Sequence, residues 1–475
     1  MDLKILFAAS EAVPFAASGG LADVIGSLPF AINSKGHDCR VVMPLYQSIR
    51  PELRETLTFQ TNITVDVSWR KQYCGIYTAD WNGVTYYFVD NEYYFGREGL
   101  YGFYDDCERF AFFSRAVLEM LRYIDFAPDI INCNDWQTAL IPVFYQVFYK
   151  YQQGYQNLKH VFTIHNIQYQ GNFGREVLNE VMGIPLYHMG LLEYDGSINM
   201  MKGAFETADR ITTVSPSYAW EILDPWYAHG LDRILVTKQD KLSGILNGID
   251  TKLYDPSADT LIEKTYSAAK PAGKKACKKA LLSELGLQEG DEPVIGIVTR
   301  FVSHKGVDLI RYVFEDILRL GCKFAILGSG EKIYEDFFSE MQFRYPGQVS
   351  VTLGFRPELA RKIYAGADMF LMPSQSEPCG LAQMVAMRYG TIPIVRETGG
   401  LRDSVKDDGN GDGYGFTFKT YNAHDMLDAC TRAKASYDDE KGWKALMKRA
   451  MLCDYSWDAS ADVYISLYES LCEET

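Results

Sequence analysis

Short runs rich in β-branched and aromatic residues alternate with helical patterns along the whole chain, and they do so in two separate series. The first series runs through Lys4–Ala9, Cys39–Leu45, Ile130–Cys133, His160–Ile164 and Arg210–Val214, with helical stretches such as Arg109–Tyr123 and Thr138–Tyr151 between them. Such alternation requires crossover connections, and crossovers produce parallel sheets covered by helices on both faces. The segments Thr61–Val67, Tyr73–Thr78 and Val84–Val89 follow one another too closely for crossovers and predict a small antiparallel insertion. A polar, Lys- and Ala-rich stretch, Ser257–Lys275, precedes the second series: Val294–Arg300, Lys323–Gly328, Val349–Gly354, Met369–Pro373 and Ile392–Val395. The pattern therefore predicts an α/β chain of two doubly wound, Rossmann-like domains, residues 1–250 and 251–455, with the boundary near Asp250–Lys264. A length of 475 residues, too great for one ordinary core, agrees. Doubly wound domains gather ligands beyond the carboxyl ends of their strands, so a deep cleft between the two is the expected place for a site.

Several function classes are disfavoured before any motif is considered. A formal net charge of −15 argues against a nucleic-acid partner, which calls for a basic face. The ten cysteines, at 39, 74, 107, 133, 277, 322, 379, 430, 453 and 472, form no CxxC pair and no His/Cys spacing suited to zinc. They read as reduced thiols of a cytoplasmic protein. The start, MDLKILFAAS, runs straight into a predicted strand, and no apolar run nears the ~20 residues of a membrane helix. An aromatic share of 14% suits sugar platforms, yet a well-filled core explains it equally simply. Tyr93–Phe95 and Tyr101–Tyr104 are candidates for distal sugar contacts, with packing as the plainer role. No feature of the sequence specifies an oligomeric state.

Four segments carry chemistry. In Glu11–Asp23 the glycines Gly19 and Gly20 stand between a strand and a helix, where backbone N–H groups and the helix dipole suit an anion; a tight turn is the plainer reading. The segment is neither GxGxxG nor a Walker loop, so no nicotinamide cofactor and no P-loop is indicated. In Ile295–Gly306, Arg300 and Lys305 stand at the end of a strand, a fork and a point charge suited to a diphosphate, or else a pair of surface charges. In Pro373–Gln383, Glu377 precedes a helix whose start offers the amides of Cys379, Gly380 and Leu381; a capping carboxylate is the alternative. Thr398, Gly399 and Gly400 repeat the strand–glycine–helix arrangement nearby. In Thr163–Gly171, His165 projects from a strand end, as does Asp135 after another strand, although a structural histidine and a helix cap account for them separately. Asn247 closes the first series.

Taken in order, these segments resemble the bacterial glycogen synthases and plastid starch synthases over essentially the whole chain. The family pattern appears as Gly19-Gly20-Leu21, Asp135-Trp136, Thr163 to Asn166, Val214-Ser215-Pro216, Leu246 to Asp250, Arg300 with Lys305, Glu377 to Leu381 and Thr398 to Leu401. The resemblance implies a glycosyltransferase-B fold and a metal-independent, anomer-retaining transfer of glucose from ADP-glucose to the 4-hydroxyl at the non-reducing end of an α-1,4-glucan. It implies no cofactor beyond that donor. By the same resemblance, Arg300 and Lys305 neutralise the departing diphosphate, and amides around Gly20 and Cys379–Leu381 cradle it. His165, Asn247, Asp135 and Glu377 hold the transferred glucose, Phe355 stacks on the nucleobase, and residues 456–475 form a helix that packs back on the first domain. Gly19, Asp23, Thr398, Gly399 and Gly400 complete the expected substrate-binding set.

The chain departs from this family in three places. Ala17-Ser18 stands where the family usually has Lys-Thr, removing a cation from the donor side. Asn134-Asp135-Trp136-Gln137 lacks the histidines common around Asp-Trp. Val385 occupies the second position of a Glu-x7-Glu motif found in related glycosyltransferases, a change that the synthases share. Two alternatives follow: a retaining transferase that uses UDP-glucose, and a catalytically weak glucan-binding scaffold.

Overall fold

The computed structural model describes residues 2–473 and divides the chain into two compact units. In the first, a nine-stranded sheet is ordered β12-β11-β7-β6-β1-β2-β5-β4-β3. Its members are β1 (Lys4–Ala8), β2 (Asp38–Pro44), β3 (Thr58–Val67), β4 (Arg70–Trp81), β5 (Val84–Asp90), β6 (Ile130–Asn134), β7 (Lys159–Ile164), β11 (Arg210–Thr213) and β12 (Leu242–Gly244). The short strands β8 (Asn172–Phe173), β9 (Glu193–Tyr194) and β10 (Ser197–Asn199) form a separate three-stranded sheet. All pairs from β12 to β5 are parallel, and β5-β4-β3 are antiparallel, so the expected insertion extends one edge of the main sheet. Helix Gly20–Ser34 buries Leu21, Ala22, Val24, Ile25, Leu28 and Ile32, the three-and-four spacing of a helix lying on a sheet.

The single helix expected over Thr138–Tyr151 is broken into a 3₁₀ turn Trp136–Thr138, an α-helix Leu140–Phe144 and a π-turn Tyr145–Tyr149. Pro142 has no N–H to give to the turn before it, and Lys150 N–H reaches back five residues to the Tyr145 carbonyl at 2.9 Å. The C-terminal helix Trp457–Glu473 belongs to this unit. It is fixed there by a buried polar ladder. Asn132 Nδ2 donates to Tyr468 Oη at 2.7 Å, Thr163 Oγ1 donates to Asn132 Oδ1 at 2.9 Å, and Thr163 and Thr212 share a hydroxyl hydrogen bond of 2.8 Å.

The second unit is an all-parallel sheet ordered β15-β14-β13-β16-β17-β18. Its strands are β13 (Val294–Val298), β14 (Lys323–Gly328), β15 (Val349–Leu353), β16 (Met369–Met372), β17 (Ile392–Arg396) and β18 (Phe416–Phe418). Strands covered on both faces read as continuous apolar runs, as Val-Ile-Gly-Ile-Val of β13 does. Lys274 is buried, and its ammonium caps the carboxyl ends of two helices by donating to the carbonyls of Ala365 (3.1 Å) and Tyr389 (3.0 Å) and to Thr391 Oγ1 (2.7 Å).

The boundary differs from the sequence-based expectation. Residues through Ile245, with the helix from Trp457, form one unit, and Leu246–Ser456 form the other. Asn247 thus follows β12 rather than ending a strand of the first unit, and it lies in the second. The cause is local pairing, since Ile249 N–H donates to the Tyr455 carbonyl at 2.7 Å and bridges to Ser456. Residues 474–475 of the helix expected over 456–475 lie outside the described residues.

Candidate active site

The charged part of the site is built at the carboxyl ends of β13 and β16. β13 ends at Val298, two residues before the expected Arg300, which sits exposed in the following loop. Among the described residues its guanidinium makes no hydrogen bond or ion pair. A 3₁₀ turn, Ser303–Lys305, then ends at Gly306 with φ 74°. A Cβ at Gly306 would collide with the Pro373 carbonyl, so glycine here lets the turn press against the chain leaving β16. That approach brings Lys305 Nζ to 2.6 Å from Glu377 Oε2, which also accepts a hydrogen bond from Ser374 Oγ at 3.0 Å. Glu377 is therefore not a helix cap. Helix Ala382–Arg388 begins after Leu381, and the carboxylate faces Lys305 instead. His304 is held below its ordinary pKa by burial first, then by the charges of Lys305 and Arg300, which marks a positive local potential.

The first unit builds a different environment. Asp135 adopts φ 56° and ψ −179°, a backbone region close to glycine's alone and costing about 1–3 kcal/mol. Its carboxylate makes no cap to the turn that follows; it accepts the backbone N–H groups of His165 at 2.7 Å and Asn166 at 3.3 Å. Burial outweighs those two donors and pushes the Asp135 carboxyl up to about 7. His165 lies half-buried beside it, with its Nε2 2.9 Å from Asn134 Oδ1. Burial alone drives its pKa down to about 3, so the imidazole is neutral.

The glycine turns do unequal work. At the first, the amide and hydroxyl of Ser18 and the amide of Gly19 are taken by the buried carboxylate of Glu11, which also accepts Tyr101 Oη at 3.1 Å. Three donors close to the expected anion cradle therefore hold an internal acid, and among the described residues the helix that starts at Gly20 has no side-chain cap. Burial raises the Glu11 pKa. Although part of Asp23 faces solvent, desolvation and then Glu11 raise Asp23 as well. At Thr398–Gly400 the expected cradle is likewise occupied. Gly400 N–H donates to the carbonyls of Glu377 (3.1 Å) and Pro378 (3.2 Å), and a Cβ on Gly400 would overlap Cys379. This turn buttresses the Glu377 loop. The Cys379–Leu381 segment is clamped by Gln383, whose Nε2 donates to the carbonyls of Cys379 (3.2 Å) and Gly380 (2.9 Å) and to Ser404 Oγ (3.0 Å). Burial pushes the Cys379 thiol up to about 12, partly offset by a backbone hydrogen bond from Asn247. Asn247 Oδ1 is buried without a partner among the described residues. Phe355 follows β15 and is 90% exposed, open to a ring stacked on it.

Sequence reasoning missed Ser374, Gln383, Asn134 and the role of Glu11. Ser374 and Glu11 stand inside quoted segments but carry no signal apart from the partner that the fold brings to them. Among the described residues, no three His, Cys, Asp or Glu side chains cluster as metal ligands, and no helix is long and apolar enough to cross a membrane.

Comparison with known proteins fits this geometry. Residues 4–237 match the family signature described as starch synthase catalytic domain, and residues 283–446 match that of glycosyl transferases group 1. The fold and these signatures define a glycosyltransferase of the glycosyltransferase-B class. The glycogen synthase of Geobacillus thermodenitrificans is 47% identical over 99% of this chain and 98% of its own. That of Bacillus cereus is 48% identical over 99% and 100%. The catalytic domain of starch synthase IV from Arabidopsis thaliana, solved with ADP and acarbose bound, superposes with a TM-score of 0.90 at 35% identity, covering 100% of both chains. A sucrose-phosphate synthase from Thermosynechococcus elongatus, 17% identical with a TM-score of 0.63, shares the fold. The chain belongs to the glycogen and starch synthase family.

Proposed function

We propose that this glycosyltransferase moves glucose from ADP-glucose to the non-reducing 4-hydroxyl of an α-1,4-glucan, with retention at the anomeric carbon and without a metal, in the cytoplasm. Lys305 and the unpaired Arg300 neutralise the leaving diphosphate, and the second unit carries the nucleotide, with Phe355 against the base. The first unit carries the acceptor. His165, Asp135, Asn247 and Glu377 hold the transferred glucose, with Glu377 close to the positive charge that develops as the donor bond breaks. The buttress from Gly400 keeps Glu377 in register, so preorganised charge supplies most of the rate.

The observation that carries this reading is the Lys305–Glu377 pair, held at 2.6 Å by a turn that only glycine at 306 permits, with Arg300 exposed in the same loop. Support for the donor and acceptor classes comes from the relatives named glycogen synthase and from the ADP and acarbose bound by the Arabidopsis enzyme.

The test is label transfer into precipitated glucan, with glycogen as primer, either labelled ADP-glucose or labelled UDP-glucose as donor, and a chelator present. Incorporation from ADP-glucose that is abolished by Lys305→Ala is the expected result. Incorporation only from UDP-glucose would move the donor, and activity lost to the chelator would overturn metal independence. Glycogen binding without transfer from either donor would leave a scaffold.

A further inference from the structure

Strand β6 places two asparagines, Asn132 and Asn134, in the centre of a buried parallel sheet. Asn134 is 1% exposed and its amide has no rotational ambiguity. Its Nδ2 faces two backbone carbonyls, those of Ala8 at 3.0 Å and Asn132 at 3.1 Å, and carbonyls only accept. The Asn134 amide must therefore point its NH2 group at them and its Oδ1 the other way. That oxygen lies 2.9 Å from His165 Nε2. An amide oxygen cannot donate, so the shared hydrogen must sit on the histidine.

We infer that Asn134 is a positioning residue that fixes His165 as the Nε2–H tautomer and leaves Nδ1 as a hydrogen-bond acceptor. Among the described residues Nδ1 makes no hydrogen bond. The consequence is a choice of polarity. A neutral His165 in this tautomer accepts from a hydroxyl donor, such as one on a sugar, and does not act as a cation toward phosphate. No charged side chain contributes to the depressed pKa of His165, and Asp135, the nearest acid, is engaged with the backbone amides of His165 and Asn166. The ladder Tyr468–Asn132–Thr163 braces the same two strands, which ties the orientation of His165 to the C-terminal helix. The inference rests on the reading of His165 as a sugar contact only for its effect on rate. The tautomer itself stands apart from that reading.

The test is nitrogen-15 NMR of the full chain labelled at its seven histidines, with the His165 signals assigned by their loss in His165→Gln. The wild-type protein is expected to show a protonated Nε2 and an unprotonated Nδ1 on His165 across the neutral range. Asn134→Ala should scramble that signature and lower kcat by about tenfold with a smaller change in donor KM. Asn134→Asp should raise the His165 pKa into the neutral range and give transfer an ascending limb as pH rises, because protonation removes the acceptor. His160, buried on β7 and outside this network, reports that each variant is folded. A protonated Nδ1 in the wild type, or an unchanged His165 signature in folded Asn134→Ala and Asn134→Asp, would overturn the inference. Full transfer by His165→Ala would instead overturn the functional reading of His165, with the tautomer still decided by the spectrum.

Discussion

The two units treat their ionisable groups in opposite ways. In the first, burial works against the charged forms: the imidazole of His165, and that of His160 outside the candidate set, are driven down to about 3, the Asp135 carboxyl is pushed up to about 7, and Glu11 and Asp23 are shifted upward. Among the described residues, no lysine or arginine forms an ion pair with any of these five. In the second, charge is retained by pairing Lys305 with Glu377 and by leaving Arg300 exposed. A neutral, hydrogen-bonding surface suits a sugar, and a preorganised ionic one suits a diphosphate. Alanine stands at 17 in the unit whose first glycine turn is already filled by Glu11.

Breaking the ionic side should cost most. Glu377→Gln, measured as label transfer to glycogen, is expected to lower kcat by about 100-fold or more while the fold is kept. An effect below threefold would place the decisive charge elsewhere. Gly400→Ala acts one step removed. Its methyl overlaps Cys379 and forces the Glu377 loop to shift, so a stability loss of about 2 kcal/mol in urea unfolding, together with a kcat loss, is expected. Retained activity would mean that the buttress is dispensable.

The neutral side is tested by pH. His160 is buried, neither of its ring nitrogens is bonded among the described residues, and its ring packs on Tyr145 at 4.4 Å. Its folded pKa lies below the unfolded value, so below about 6.5 the unfolded chain takes up a proton that the native state refuses. Stability is therefore lost as pH falls from about 6.5 toward 3, by about 2 kcal/mol between pH 7.5 and 5 from this residue. His160→Phe should remove that share of the slope in paired unfolding curves. Asp135 works the other way, since its raised pKa makes the native state hold the extra proton between about 4 and 7 and stability fall as pH rises through that window. The smallest change sharpens the comparison directly. Ala17→Lys gives the first unit a cation and should lower the donor KM by up to about tenfold, with kcat little changed. An unchanged KM would show that the lysine position is silent in this chain.

The parallel sheets and the order of their strands' contributions to the site were legible in the sequence, because period and length distinguish buried strands from helices. Lys323–Gly328 is an instance where both ends of the strand coincide with the expectation. What periodicity misses is local chemistry. The expected helix over Thr138–Tyr151 changes to π geometry at Tyr145 although its apolar pattern continues, and the Ile249–Tyr455 pairing draws Asn247 into the second unit from far along the chain. In the site, residue types that suit an anion identified Arg300 and Lys305 as candidates and the family resemblance identified Glu377, but motif spacing does not reveal whether an amide is available. Gly400 and Gly19 fit a cradle by sequence, and their N–H groups are used by Glu377 and Pro378 and by Glu11.

The central claim is that the diphosphate is held by the charges of the second unit. Calorimetric titration of ADP into the wild-type protein and into Lys305→Ala, at one fixed ionic strength, tests it most directly. Loss of a charge-assisted contact of about 2 kcal/mol predicts roughly 30-fold weaker ADP binding in the variant. Equal affinity in the two proteins would contradict the account.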